Sequence, residues 1–289
     1  MTSLARNVFG QSFQNPVLLA AGTAGYGREL DGVMDLDALG GIVTKAVSLA
    51  PREGNRAPRV AEFRGGMLNS VGLANPGLAA ARGTALPWLA QRLHRARILV
   101  NVVGFVETEY AEVIQGLEEC DGIAAYELNL SCPNTAAGGV EFGADPAAVA
   151  RVVARCRAVT RRAVVAKLSP ALPDIPAIAE AAVGAGADAI TVVNTLPGYL
   201  FDRGEAPRLG NGNGGVSGPA LLPIGLLAVR RVKERLPAAE VIGVGGVRSA
   251  TDVRQYLRAG ASLVAIGTAQ LADPRLPERI IQDLESGDG

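Results

Sequence analysis

Cys132 stands in "LNLSCPNT", where an apolar run gives way to a polar cluster, with Asn129 just before the break and Ser131 and Asn134 nearby. A free thiol titrates near ~8.5, close enough to neutrality for a modest shift to make it a general base. The chain offers few rivals for that work. Its one histidine, His94, lies in "AQRLHRAR", which predicts a basic helix with a solvated face, so a histidine-dependent triad is not expected. Cys120 ends one helical pattern and Cys156 lies inside another, positions that predict ordinary burial. Three cysteines with neither CxxC nor Cys/His spacing indicate no disulfide framework and no zinc site.

The lysines carry a second signal. Among 28 basic residues only Lys45, Lys167 and Lys233 are lysine. Lys45 closes the apolar run "GGIVTK" and Lys167 closes "AVVAK", whereas Lys233 sits in the charged stretch "VRRVKERL". An ammonium at the end of a buried strand needs a partner, because an isolated buried charge is costly. That partner is either an acidic group of the core or an anionic ligand.

Short runs rich in Val, Ile and Leu alternate with longer amphipathic segments, and these elements must place the candidate residues. Strands are predicted near 16–22, 41–46, 98–103, 125–130, 163–168, 189–194, 240–244 and 262–266, and helices near 108–119, 146–159, 175–186, 221–236 and 249–260. Several helices begin after Ser, Asp or Pro and end at Gly, the expected capping chemistry. Eight near-continuous apolar strands, each followed by a helix, predict a parallel sheet covered on both faces and closed as a single (β/α)8 barrel over residues 1–289. A doubly wound open sheet shares the pattern. Two connections, 47–71 and 195–219, are longer than the architecture needs, and 131–145 follows the fourth strand. Long Gly/Pro/Asn-rich connections are usually functional covers or disordered insertions, and these follow strands at the mouth where barrel active sites are built.

Reading the residue at or beyond each strand's C-terminal end gives Ala21-Gly22, Lys45, Asn101, Asn129 with Cys132, Lys167, Asn194-Thr195, Gly245-Gly246 and Gly267-Thr268. So many polar groups at one end predict a ligand site. The glycines of "GVGGVRSA" and "AIGTA" follow strands seven and eight, where bare backbone N–H groups commonly hold a phosphate. The GxGxxG spacing and distal acidic residue of a dinucleotide site are not jointly present.

Formal net charge is zero, 28 basic against 28 acidic residues, which gives no support to a nucleic-acid or membrane-surface role. No secretory signal pattern and no run of about 18 apolar residues occurs, so a cytoplasmic protein is expected.

With these residues in place, the chain resembles the catalytic subunit of class I dihydroorotate dehydrogenases, FMN enzymes of pyrimidine synthesis. The resemblance rests on "TKAVSLAPREGN" (44–55), "GGMLNSVGLANPG" (65–77), "ELNLSCPN" (127–134), "AKLSP" (166–170), "VVNTLPG" (192–198), "GGVSGPA" (214–220), "GVGGV" (243–247) and "IGTA" (266–269). Cysteine rather than serine at 132 is similar to class I. "GGVEFG", "KLSP", "NTLPG" and "GGVSGPA" look most like the NAD-linked heteromeric class IB.

The resemblance implies oxidation of dihydroorotate to orotate, with Cys132 removing a proton from C5 under a lid formed by "SCPNTAAGGVEFG". It implies that Lys45, Asn69, Ser70, Val71, Gly72, Leu73, Asn129, Asn194 and Thr195 hold the substrate. FMN would be held by Ala21, Gly22, Lys45, Ala46, Asn101, Asn129, Lys167, Val193, Gly218, Gly245, Gly246, Gly267 and Thr268, with Lys167 balancing the negative charge of the reduced flavin. FAD and a [2Fe–2S] cluster would belong to a partner subunit, since this chain lacks an NAD fingerprint and a cluster-binding cysteine set. A homodimer within a heterotetramer is the implied assembly. Ala21, Ala171 and Pro173 depart from the family pattern, standing where relatives often have a hydroxyl residue, Asn and Thr. Two other readings fit parts of the pattern: a flavin reductase of dihydropyrimidine bases, and a non-catalytic flavin- or phosphate-binding barrel.

Overall fold

The computed structural model describes residues 4–131, 133–134 and 140–287. Eight parallel strands close a barrel in sequence order: β1 Val17–Leu19, β2 Gly41–Val43, β3 Arg97–Val102, β4 Ile123–Asn129, β5 Ala163–Leu168, β6 Ala189–Val192, β7 Glu240–Val244 and β8 Leu263–Ile266. β8 pairs with β1, so the sheet has no edge and the open-sheet alternative is ruled out.

Period-two alternation sorts each strand's side chains. Leu18, Val43, Leu99, Ala125, Val165, Ala189, Ile242 and Leu263 pack together inside the barrel. Their neighbours, such as Leu19, Ile42, Val100, Tyr126, Val164 and Ile190, face the outer helices. An N-terminal hairpin, Arg6–Val8 with Gln11–Phe13, adds Val8 and Phe13 to the inner cluster and so closes the N-terminal end.

The outer layer includes α1 Leu86–Arg92, α2 Glu107–Leu117, α3 Pro146–Val159, α4 Ile175–Gly184, α5 Leu221–Arg235, α6 Ala250–Ala259 and α7 Leu276–Ser286. Asp145 caps α3, Asp174 caps α4 and Ser249 caps α6 through side-chain oxygens, satisfying N–H groups that a helix start leaves open.

The expectation of a helix after every strand fails at β1. Gly22, Gly25, Gly27 and Gly32 interrupt the following segment, which forms only the short 3₁₀ turns Arg28–Leu30 and Leu36–Ala38. The C-terminal α7 packs near β1 instead, and Glu278 Oε1 accepts the Asp35 N–H at 2.6 Å. His94 is exposed as expected but lies beyond the end of α1, in the turn leading to β3.

That turn is tied down by Asp37, whose Oδ1 accepts the N–H groups of His94, Arg95 and Ala96 at 2.9, 2.7 and 2.9 Å. Burial would raise the Asp37 carboxyl, but these donors and the Arg95 side chain hold it below the usual carboxylate range. A depressed folded value means that Asp37 stabilises fully above its unfolded value of 3.8 and loses that contribution as pH falls through the lowered one. Asp37→Asn is therefore expected to lower the urea midpoint at pH ~7, with the gap from the parent closing toward pH ~3. A gap that persists unchanged in acid would contradict this.

The two long connections are not irregular covers. Val60–Phe63 and Gly66–Asn69 from the first pair with Leu196–Tyr199 and Asn213–Ser217 from the second, giving a four-stranded antiparallel sheet over the C-terminal mouth.

Candidate active site

Beneath that sheet lies a cavity of about 1150 Å³. It exceeds the ~300–1,000 Å³ of a typical single-ligand pocket, which leaves room for a cofactor and a substrate together. Every site residue singled out from the sequence lines it except Cys132, which falls outside the described residues. Ala171 and Pro173 are exposed and do not line the cavity, whereas Ala21 does.

The floor is polar on one side. Asn101 on β3 pairs in register with Glu127 on β4, and Lys167 on β5 with Thr191 on β6. Glu127 is 1% exposed; its Oε1 accepts from Asn101 Nδ2 at 2.8 Å and Lys167 Nζ at 3.5 Å, and its Oε2 from Thr191 Oγ1 at 2.9 Å. Glu127 is thus the core partner that a buried Lys167 requires. Sequence reasoning missed it, although its spacing from Asn129 by two along an apolar strand places both on the inner face.

One step up, Asn194 Nδ2 donates to Asn129 Oδ1 at 3.3 Å, and Asn194 Oδ1 accepts the Thr195 N–H at 2.9 Å. Tyr110 donates its hydroxyl to the Asn129 carbonyl at 2.9 Å, fixing the end of β4. Asn69 reaches the site from the covering sheet, where it donates to Gly215 O at 3.1 Å. Ser131 Oγ is buried without a hydrogen-bond partner among the described residues and lines the same cavity. Lys45 also lines it. The Lys45 backbone N–H is held by Gly25 O at 2.7 Å, but its ammonium has no carboxylate within 4.0 Å among the described residues.

At the opposite rim, the N–H groups of Gly245, Gly246, Gly267 and Thr268 make no hydrogen bond among the described residues. Gly245 and Gly246 have φ of 123° and 73°, which only glycine adopts freely, and a Cβ at Gly246 would lie 2.5 Å from Leu222 N. Four open backbone donors, three of them on glycines, fit an anionic group such as a phosphate. Lysines, amides and a buried polar floor fit the polar edge of a heteroaromatic ring, so the donor set accommodates FMN.

The Gly245 turn has its own support. Buried Tyr256 on α6 donates its hydroxyl to Gly245 O at 2.8 Å. It fits because Gly243 and Gly225 leave a slot: a Cβ at either would meet the ring or hydroxyl of Tyr256 at 2.3 or 2.0 Å. Gly243→Ala is expected to destabilise the fold by about 1–3 kcal/mol through overpacking, read as a lower urea midpoint. An unchanged midpoint would show that the slot yields freely.

Thr268 Oγ1 donates to Ser217 Oγ at 2.6 Å, joining the rim to the covering sheet. Arg52, whose guanidinium lies 4.1 Å from the Phe105 ring centroid, and Ser169 also line the cavity and were not anticipated. Their signal, single polar residues within loops, is too common to stand out.

Comparison with known proteins agrees with this geometry. A Pelobacter propionicus protein named dihydroorotate dehydrogenase B (NAD(+)), catalytic subunit, is 44% identical over 280 residues, 96% of this chain and 91% of that protein. A Trichlorobacter lovleyi protein of the same name is 44% identical over 273 residues, 94% of this chain and 89% of that protein. A Solibacter usitatus protein provisionally named dihydroorotate dehydrogenase A (fumarate) is 45% identical over 284 residues, 97% of this chain and 92% of that protein. Residues 3–287 match the family described as dihydroorotate dehydrogenase. On this coverage the chain belongs to the dihydroorotate dehydrogenase family.

Proposed function

We propose that the chain oxidises (S)-dihydroorotate to orotate with FMN, a step of pyrimidine biosynthesis. The observation that carries this reading is the contrast between the two cavity lysines: Lys167 is matched to Glu127, while Lys45 has no acidic partner among the described residues. Lys45 is then the cation available for a substrate carboxylate. Asn69, Asn129, Asn194 and Thr195 supply donors and acceptors for the ring amides, because each amide side chain does both. Residues 70–73 complete the wall on the Asn69 side.

Gly245, Gly246, Gly267 and Thr268 would hold the FMN phosphate. Ala21, Gly22, Ala46, Asn101, Val193 and Gly218 would line its ring and ribityl chain, with Lys167 facing the ring's polar edge. When bound, FMN accepts the hydride that leaves C6 of dihydroorotate. Cys132, as thiolate, takes the proton from C5, so one proton and one hydride are lost and the C5–C6 double bond of orotate forms. The covering sheet excludes water from that exchange.

Relatives carrying the B (NAD(+)) name support NAD+ as final acceptor, reached through a partner subunit with FAD and a [2Fe–2S] cluster. This chain would form a homodimer that binds it. No helix among the described residues is long and apolar enough to cross a membrane. We place the reaction in the cytoplasm. The test of chemistry is anaerobic single turnover: about one orotate per bound FMN is expected, and none would overturn the reading. Size-exclusion with and without the partner subunit tests the assembly; failure to associate would favour a fumarate-type enzyme.

A further inference from the structure

We propose that Glu127 is a positioning residue that holds Lys167 and Asn101 against the flavin and whose charge sets the flavin's reduction potential. The inference rests on the FMN reading above. Glu127 is the acidic residue at the centre of the barrel-interior polar layer, 1% exposed, with both oxygens engaged by Asn101, Lys167 and Thr191. All four residues lie on adjacent strands, so the cluster is built by register and not by chance contact.

A buried ion pair is a poor stabilising device. Desolvating each ion costs several kcal/mol, and apolar replacements of similar volume are often neutral or better. The geometry is also not that of a pair optimised for its own sake. Lys167 Nζ has three donors and makes one contact, at 3.5 Å, among the described residues, which leaves the others for a ligand in the cavity it lines. Asn101 is oriented by the same carboxylate and lines the same cavity. The carboxylate therefore fixes two groups that face the ligand without lining the cavity itself.

The charge has a definite consequence. Two-electron reduction adds negative charge to the flavin ring, which a lone Lys167 would favour strongly. Glu127 offsets that cation, so it keeps the flavin from binding too tightly in its reduced form and lets electrons pass onward. Proteins tune such cofactors through charge beside the ring.

The test is the midpoint potential of bound FMN, with the affinities of the apoprotein for oxidised and reduced FMN measured alongside. In Glu127→Gln, a near-isostere without the charge, the ratio of reduced to oxidised affinity is expected to rise at least tenfold. For a two-electron couple that is a positive shift of about 30 mV or more. A purely structural role would instead lower both affinities together and leave the ratio unchanged, and that result would overturn the proposal.

If the Gln variant does not fold, the neutral pair Glu127→Gln with Lys167→Met removes both charges and leaves neither ion unpaired. Its ratio is expected to stay within about threefold of the parent because the two losses offset. A ratio tenfold lower would mean that Lys167 acts alone and Glu127 contributes nothing. Failure of the parent protein itself to bind FMN would fall on the cofactor reading and not on Glu127.

Discussion

Cys132→Ala protein is expected to bind FMN as the parent does, yet to be reduced by dihydroorotate roughly 10²–10⁴-fold more slowly, the usual contribution of a positioned general base. The size of the loss follows from the lack of a substitute. Burial pushes the Cys156 thiol up to about 12 and raises Cys120 as well, partly countered at Cys120 by Arg82 and Arg162. Both sit in the layer between strands and helices, away from the cavity. His94 is at the other end of the barrel, beside the turn that Asp37 holds. The ionisable residues that line the cavity among those described are Lys45, Arg52, Glu62, Lys167 and Arg248, and Glu62 is exposed on the covering sheet. Anaerobic stopped-flow at the flavin absorbance reads the step directly. An unchanged rate would remove Cys132 from the mechanism.

Lys45→Ala is expected to weaken dihydroorotate binding by about 1.5–3 kcal/mol, the scale of a hydrogen bond to a charged group, or roughly 10–150-fold in Kd. The ammonium has no carboxylate partner to relax toward among the described residues, so its loss removes a ligand contact without unpairing a buried acid. A dihydropyrimidine base lacking the carboxylate provides the control. It should bind parent and variant alike, because Lys45 has no charge to meet on it. Equal weakening for both ligands would place Lys45 against the ring and favour a base reductase.

The barrel was legible because its code is local. Strands such as "AVVAKL" and "EVIGV" are short apolar runs set between capped helices, and the predicted bounds 163–168 and 240–244 match β5 and β7. The mouth was legible for the same reason: the residue ending each strand is read directly from sequence. The covering sheet was not, since its pairs join residues such as Asn69 and Gly215 that lie far apart in the chain. Its strands are short and glycine-rich, with no alternation strong enough to stand alone. Glu127 was overlooked for a different reason. It lies inside "AYELNL" and not at the strand's end, where the candidate residues were read, and only the pairing of neighbouring strands shows that it meets Lys167. The missing helix after β1 was signalled by its glycines but overridden by the regularity of the other repeats.

The central claim, that this cavity holds FMN and delivers dihydroorotate's hydride to it, is tested most directly by the visible spectrum of the purified protein under anaerobic conditions, before and after dihydroorotate is added. The account predicts an oxidised-flavin spectrum that bleaches on addition. A flavin spectrum that dithionite bleaches and dihydroorotate does not would contradict it.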